Sequence, residues 1–376
     1  MEKRWITVWS QSHTRAGFGV KGRKNRTVQF SFDCPLDGDG IRLRFSNHFS
    51  EEKYEISAVS AHIAGSCFSV KRGGNTKFYV APGERVTSDI LETTVHSGDV
   101  IEVRIFVSSD QYEGNSTVRN ARWSKKGDYT GGCAFEADPS EFRKRSPGIL
   151  RFVPVIESIE ILTDKQPKVI AGFGDSITQQ SLWIGPLSKR LYDAYGDQII
   201  LLNAGIGGNR IVNEDNGFYR IFGPSGINRC QRDLLEIPEL GCVIFALGTN
   251  DIGMGKKGKP DFVDAAQMID GALKIIAQLH DKNIRVIGTT ILPRKGSSGY
   301  RESYNEETRT AFNEWVRSSG SFDAVIDFDQ IMKDDIEPLK IKKGYAMFDQ
   351  VHPNEKGGLY LANAIDLELL YKLAGE

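Results

Sequence analysis

The sequence predicts two domains of different class: an antiparallel β-sandwich of jelly-roll type, then an α/β domain built on a buried parallel sheet. Three observations carry this. The chain has 376 residues, and at about 150 residues per domain that length suits two domains. Up to residue 162, short apolar–polar alternations recur between turn residues, the mark of half-buried antiparallel strands. From residue 169, apolar runs alternate with helical stretches, which implies parallel strands with helices on both faces. The polar, proline-bearing stretch Thr163–Lys168 separates the two patterns. The boundary is placed to give residues 1–164 and 165–376.

In the first domain, strands are expected at Val28–Phe32, Ile41–Phe45, Ile56–Ile63, Lys77–Val80 and Val100–Val107. Gly, Asp, Asn, Ser and Pro separate them, and no long helical period interrupts. In the second, the apolar runs are Val169–Phe173, Ile199–Leu202, Cys242–Leu247, Ile284–Leu292 and Ala324–Phe328. Helices are expected over 183–195, 227–236, 262–281, 305–318 and 355–373.

Composition excludes several classes. Forty-eight Lys and Arg face 49 Asp and Glu, a net charge of −1, so no global field draws the chain to nucleic acid or an anionic membrane. Hydrophobic residues at 40% and charged residues at 26% suit a folded globular chain and not a disordered or fibrous one. The longest apolar run, Cys242–Leu247, is far short of the ~20 residues a bilayer requires. No apolar stretch of signal-peptide type follows the opening residues, and the expected compartment is cytoplasmic, although a mature secreted form would look the same. Cysteines 34, 67, 133, 230 and 242 are odd in number and form no CxxC pair, so free thiols are expected. The six histidines form no HxH or HxxxH pair, and no metal-site spacing is present.

In a parallel α/β sheet, function gathers at the carboxyl ends of the strands. The first strand exits into Gly174-Asp175-Ser176-Ile177-Thr178, the second into Asn203-Ala-Gly-Ile-Gly-Gly-Asn-Arg210, and the third into Gly248-Thr249-Asn250-Asp251. The segment before the last helix reads Phe348-Asp349-Gln350-Val351-His352-Pro353. A hydroxyl, a glycine turn, an amide, a carboxylate and an imidazole thus meet where chemistry is expected. They are the parts of nucleophilic acyl transfer. A serine needs a base to take its proton, an imidazole suits neutral pH, and a third group must orient it. Donors must also receive the oxyanion.

The second domain has two histidines. His280 ends an expected helix, where a structural role is ordinary, and His352 is left as the base with Asp349 three residues before it. Taken singly, each feature has a structural reading. Ser176 would cap a helix, Gly205, Gly207 and Gly208 would supply turns, Asn250 would sit in a turn, and the Asp349–His352 pair would be local. Their joint occurrence at successive exits favours the catalytic reading.

These blocks resemble those of the SGNH hydrolases, also called the GDSL esterase/lipase family. Gly174-Asp175-Ser176 resembles the first block, and the resemblance implies Ser176 as nucleophile. Asn203–Gly208 resembles the second, with the Gly208 N–H in the oxyanion hole. Gly248-Thr-Asn250-Asp resembles the third, with Asn250 as side-chain donor and the Ser176 N–H as the remaining one. Asp349-Gln-Val-His352 resembles the acid–base block. The resemblance covers 169 to about 374. It implies a flavodoxin-like three-layer α/β/α fold and no metal or organic cofactor. A narrower likeness spans the chain. Trp5, Trp9, Arg42-Leu-Arg-Phe-Ser-Asn47 and Ser88-Asp89 are similar to the N-terminal β domain of a two-domain group of arylesterases and acetylxylan esterases. The α/β-hydrolase family fits less well, because Thr178 stands where its nucleophile elbow has glycine.

Asp175, Trp183, Asn209 and Arg210 are candidate substrate-binding residues. Trp183 equally suits core packing, and Arg210 equally suits pairing with an acid. Gly17-Phe-Gly-Val-Lys-Gly22 matches GxGxxG, but a strand follows it where dinucleotide binding needs a helix. The basic stretch 15–26 reads as a solvated loop, with anionic sugar or nucleic acid as its alternative. Asp37-Gly-Asp-Gly40 reads as a turn, since an EF-hand count reaches His48 where Glu is needed.

The expected function is a serine esterase that removes small acyl groups, acetyl first, from a carbohydrate. Its expected partner is a small-molecule or oligosaccharide ester, with neither nucleic acid nor membrane. The alternatives are a lipid-directed lysophospholipase, thioesterase or lipase, and a carbohydrate-binding protein with a vestigial site.

Overall fold

The structure, a computed structural model, describes residues 2–15, 24–108, 113–118, 120–132, 134–140, 152–214 and 221–375. The GxGxxG match at 17–22, most of the basic stretch and Cys133 lie outside the described residues. The chain divides into two compact units, Met1–Gln166 with Gly196–Gln198, and Pro167–Tyr195 with Ile199–Glu376. Cys34, Cys67, Cys230 and Cys242 are free thiols.

The first unit is antiparallel. One sheet orders the strands Arg4–Ser10, Ile156–Thr163, Ile41–Ser46 and Arg85–Thr87; another orders Arg122–Lys126, Arg26–Asp33, Val100–Val107, Ala58–Ile63 and Ser66–Ser69. Alternate residues enter the core: Ile41, Leu43 and Phe45 on one strand, Ile101, Val103 and Ile105 on another. The Trp9 ring of the first sheet stacks on Phe30 of the second at 4.7 Å, so the sheets face each other as a sandwich. On the strand between, Arg42 and Arg44 both bond Glu160, and the Arg42 guanidinium lies 4.2 Å over Trp5. Ser88 Oγ accepts from Leu43 N, Asp89 accepts from the Gly73 and Gly74 amides, and Asn47 donates to two carbonyls. The residues that carried the N-terminal resemblance therefore hold strands and turns in place.

The second unit has five parallel strands in the order Ile199–Gly205, Lys168–Gly174, Leu240–Ala246, Arg285–Thr289, Ala324–Ile326. Numbered along the chain this is 2-1-3-4-5, the flavodoxin-like order. Neighbouring residues point to opposite faces. Ile244 joins a core with Ile184, Leu187 and Leu361. Phe245 instead meets Phe322, which packs on Trp315. Helices therefore cover both faces. The sheet reverses its order at the first strand, so the exits of strands one to three converge there.

Side-chain caps trim several expected elements. Strand five stops at Ile326 because Asp327 accepts from Gln330 N and starts a helix, Phe328–Met332. The single helix expected over 355–373 is two, Glu355–Ala364 and Leu367–Leu373, because Asp366 caps the second. The helix expected over 227–236 runs from Gly226 to Cys230 and continues as a wider turn, Gln231–Leu235. Among the described residues no helix is long and apolar enough to cross a membrane.

Candidate active site

The first strand ends at Gly174, where a Cβ would collide with the Thr178 side chain. Asp175 then turns the chain. Its side chain accepts from Ile177 N at 2.9 Å and caps the short helix Ser176–Gln179. Ser176 becomes the first helical residue, half-buried, with a backbone N–H that has no intrahelical acceptor. Its Oγ lies 2.7 Å from His352 Nε2.

His352 stands in the loop before Glu355–Ala364. His352 Nδ1 lies 2.7 Å from Asp349 Oδ2. The other Asp349 oxygen accepts from the Val351 and His352 amides, each at 3.0 Å. The turn closes through Gln350 at φ 57° and through Met347 N, which donates to His352 O. Partial burial pushes the Asp349 carboxyl up, but the His352 ring and the two amides outweigh it and hold it down at about 2.

The second exit lies hard against the Ser176 helix. Gly207 N donates to Gln179 Oε1 at 2.9 Å, and a Cβ at Gly205 would strike the Gln179 backbone. Gly208 has φ 77°, and a Cβ there would overlap the Phe222 ring. Among the described residues no acceptor takes the Gly208 N–H. At the third exit, Asn250 Nδ2 donates to Asn209 O at 3.0 Å, which leaves its second hydrogen for another acceptor. Ser176, Gly208, Asn250, Asp349 and His352 are all half-buried, so each can reach a ligand.

Four expected substrate-binding residues are placed elsewhere. Trp183 is fully buried and meets Phe328 edge-on at 5.4 Å; it is core, because the helix it precedes packs on the sheet. Asp175 is buried under its cap, and burial pushes its carboxyl up to about 6. Asn209 is buried with both amide atoms engaged. Its Nδ2 donates to Phe222 O and Pro224 O, and its Oδ1 accepts from Arg229 Nε. Arg210 is buried near Asp251. Asp251 accepts from the Ile211 and Val212 amides, and burial pushes it up to about 7 against those bonds and the Arg210 charge. His280 ends the helix Ala265–His280 and lies 2.9 Å from Asp323, a structural role.

Sequence reasoning missed Arg229. A charged residue in an expected surface helix signals solvent, yet Arg229 is 1% exposed. The side chain of its partner Asp233 is buried too, and although burial opposes it, the charges of Arg232 and Arg229 hold that carboxyl well below the usual range.

A flavodoxin-ordered sheet that carries a serine, an imidazole and a carboxylate in one hydrogen-bonded row defines a hydrolase domain. Residues 173–358 match the model of the GDSL-like Lipase/Acylhydrolase family. That match falls almost wholly in the second unit, which carries a GDSL-like lipase/acylhydrolase domain. No curated protein matches the chain. Among solved structures, the chain is similar to a carbohydrate acetylesterase from Sinorhizobium meliloti, at 16% identity over 55% of this chain and 99% of that one, TM-score 0.42. It is similar to the M. smegmatis aryl esterase at 17% identity over 55% and 99%, TM-score 0.42. A GDSL-like lipase from Bacteroides thetaiotaomicron is similar at 17% identity over 55% and 91%, TM-score 0.40.

Proposed function

We propose that the second unit removes small acyl groups, acetyl first, from carbohydrate esters through a Ser176–His352–Asp349 acyl-enzyme mechanism. One observation carries this reading: the unbroken row from Asp349 to His352 to Ser176, with both links at 2.7 Å. In it, His352 Nε2 takes the Ser176 proton as Oγ bonds the ester carbonyl carbon. The tetrahedral oxyanion is received by the Ser176 and Gly208 N–H groups and by Asn250 Nδ2. His352 then protonates the departing alcohol oxygen as its bond to carbon breaks. Water adds to the acyl-enzyme, giving a proton to His352, and the acid leaves as that proton returns to Ser176 Oγ. Asp349, ionised throughout, holds the imidazole tautomer and stabilises its cation.

Gly207 lies against Ser176 and donates to Gln179 Oε1, polar surroundings that suit a sugar alcohol. The partner is accordingly an acylated oligosaccharide or a small ester. A second reading, a lipid-directed acyl hydrolase, is favoured by Phe348, an aromatic ring 83% exposed beside Asp349, which would grip a long acyl chain.

Hydrolysis of p-nitrophenyl esters from acetate to palmitate, with Ser176→Ala in parallel, tests the reading. Acetate should be preferred, and the variant should lose at least ~10³-fold. A preference for eight carbons or more would establish the lipid reading, and activity that survives Ser176→Ala would sink both.

A further inference from the structure

We propose that Arg229 is a positioning residue for the oxyanion hole, a single guanidinium that bonds two strand exits directly and reaches the third through Asn209. The inference rests on the donor roles proposed for Ser176, Gly208 and Asn250.

Arg229 Nη2 donates to Gly174 O at 2.9 Å, Nη1 to Ala204 O at 2.9 Å, and Nε to Asn209 Oδ1 at 2.8 Å. Gly174 stands two residues before the Ser176 N–H. Ala204 leads into the turn that holds Gly208, and Asn209 directly follows Gly208. The Asn209 carbonyl in turn accepts from Asn250 Nδ2 at 3.0 Å. Each of the three donors is therefore two residues or fewer, or one hydrogen bond across Asn209, from an atom that the guanidinium holds. The group is itself fixed. It lies 3.9 Å over the Phe173 ring and pairs with Asp233 at 2.9 Å. Its five N–H groups lie in one rigid plane, which a lysine cannot reproduce. An oxyanion hole works when its donors stand about 2.7–3.1 Å from the place where the oxyanion forms, and a misplacement of about 1 Å costs ~10²-fold in rate.

The test compares Arg229→Lys with Ser176→Ala and the parent enzyme. It measures kcat and KM for p-nitrophenyl acetate, Tm, and inhibition by methylboronic acid, which adds to Ser176 as a tetrahedral mimic. The folded Arg229→Lys enzyme should keep KM within about threefold and lose ~10²-fold in kcat. Its boronic acid affinity should weaken by a similar factor. Unchanged kcat and boronic acid affinity in folded protein, or a loss that only follows the folded fraction, would overturn the inference. Should Arg229→Lys not fold, Asn209→Ser replaces it. Adding Asn250→Ala to Asn209→Ser should then cost less than Asn250→Ala alone, and additive losses would overturn the coupling. Activity in Ser176→Ala would reject the underlying mechanism. An inactive Ser176→Ala beside a fully active Arg229→Lys would reject only the role of Arg229.

Discussion

Ser176 Oγ and His352 Nε2 are 176 residues apart in sequence and 2.7 Å apart in space. The first strand and the last long helix must therefore be seated correctly before the pair exists. Activity then reports the integrity of the whole second unit.

Asp349→Asn should leave KM nearly unchanged and lower kcat by ~10²–10⁴-fold, because the amide cannot stabilise the imidazolium. The parent carboxyl titrates at about 2, so the acid limb of kcat/KM above pH 4 should come from another group. The stability this pairing adds is full above the ordinary 3.8 and fades as pH falls towards 2. A pH–rate profile with an inflection that disappears in Asp349→Asn would contradict this assignment.

Asn250→Ala should lower kcat by ~10²–10³-fold with little change in KM, as loss of an oxyanion donor does. The bond to Asn209 is lost as well, so Tm should fall modestly. Steady-state kinetics beside a thermal melt separate the two effects. A loss confined to KM would remove Asn250 from the oxyanion hole.

Gly208→Ala meets two obstacles, a positive φ and the Phe222 ring. It should destabilise by about 1–3 kcal/mol. Adding Phe222→Ala relieves the overlap but not the backbone strain, so urea melts should show partial recovery. Full recovery would mean that the backbone conformation carries no strain.

Asp175 is raised to about 6 chiefly by burial, against the Ile177 amide and the His352 and Arg294 charges. Between pH 3.8 and about 6 the folded chain keeps a proton that the unfolded chain releases. Stability from this group is therefore full below 3.8, falls as pH rises through that window, and is lost above it. Asp175→Asn keeps a capping side chain without the charge. It should be more stable than the parent at pH 7, by up to the order of 3 kcal/mol, and equal near pH 4. Denaturant unfolding at both pH values checks this, and an advantage independent of pH would refute it.

Trp183→Ala should cost about 3–5 kcal/mol as a core deletion, and Trp183→Phe much less. Neither should alter KM in folded protein. A KM effect of Trp183→Phe would return this ring to the substrate pocket.

The parallel sheet was legible because its strands are buried on both faces and appear as apolar runs. The candidate site was legible because function is expected at the exits of such strands, and Ser176, Gly208, Asn250, Asp349 and His352 all lie there or in the last loop. What escaped notice was buried charge. Ile156–Thr163 is a central strand, but Glu160 within it suggests solvent. Two arginines from the next strand neutralise that carboxylate, and no local pattern announces them. Arg229 and Asp233 hid likewise, since each is buried only in the company of the other. Asn209 and Arg210 looked like ligands for the opposite reason. Polar residues beside such a turn suggest substrate, yet the Asn209 amide is engaged within the fold and Arg210 is buried near Asp251.

The Asp349–His352 turn has a consequence for how the site is assembled. Asp349 and His352 are tied to each other by two hydrogen bonds, and the Val351 amide adds a third to the carboxylate within the same four residues, so the geometry of acid and imidazole is set as soon as that turn closes. The folding chain then has one long-range alignment to make, turn against strand exit, where a triad drawn from three separate loops has two. A small drift of the turn moves acid and base as one body and leaves their pairing intact. The alignment with Ser176 is thus the coordinate along which this active site can be tuned or lost.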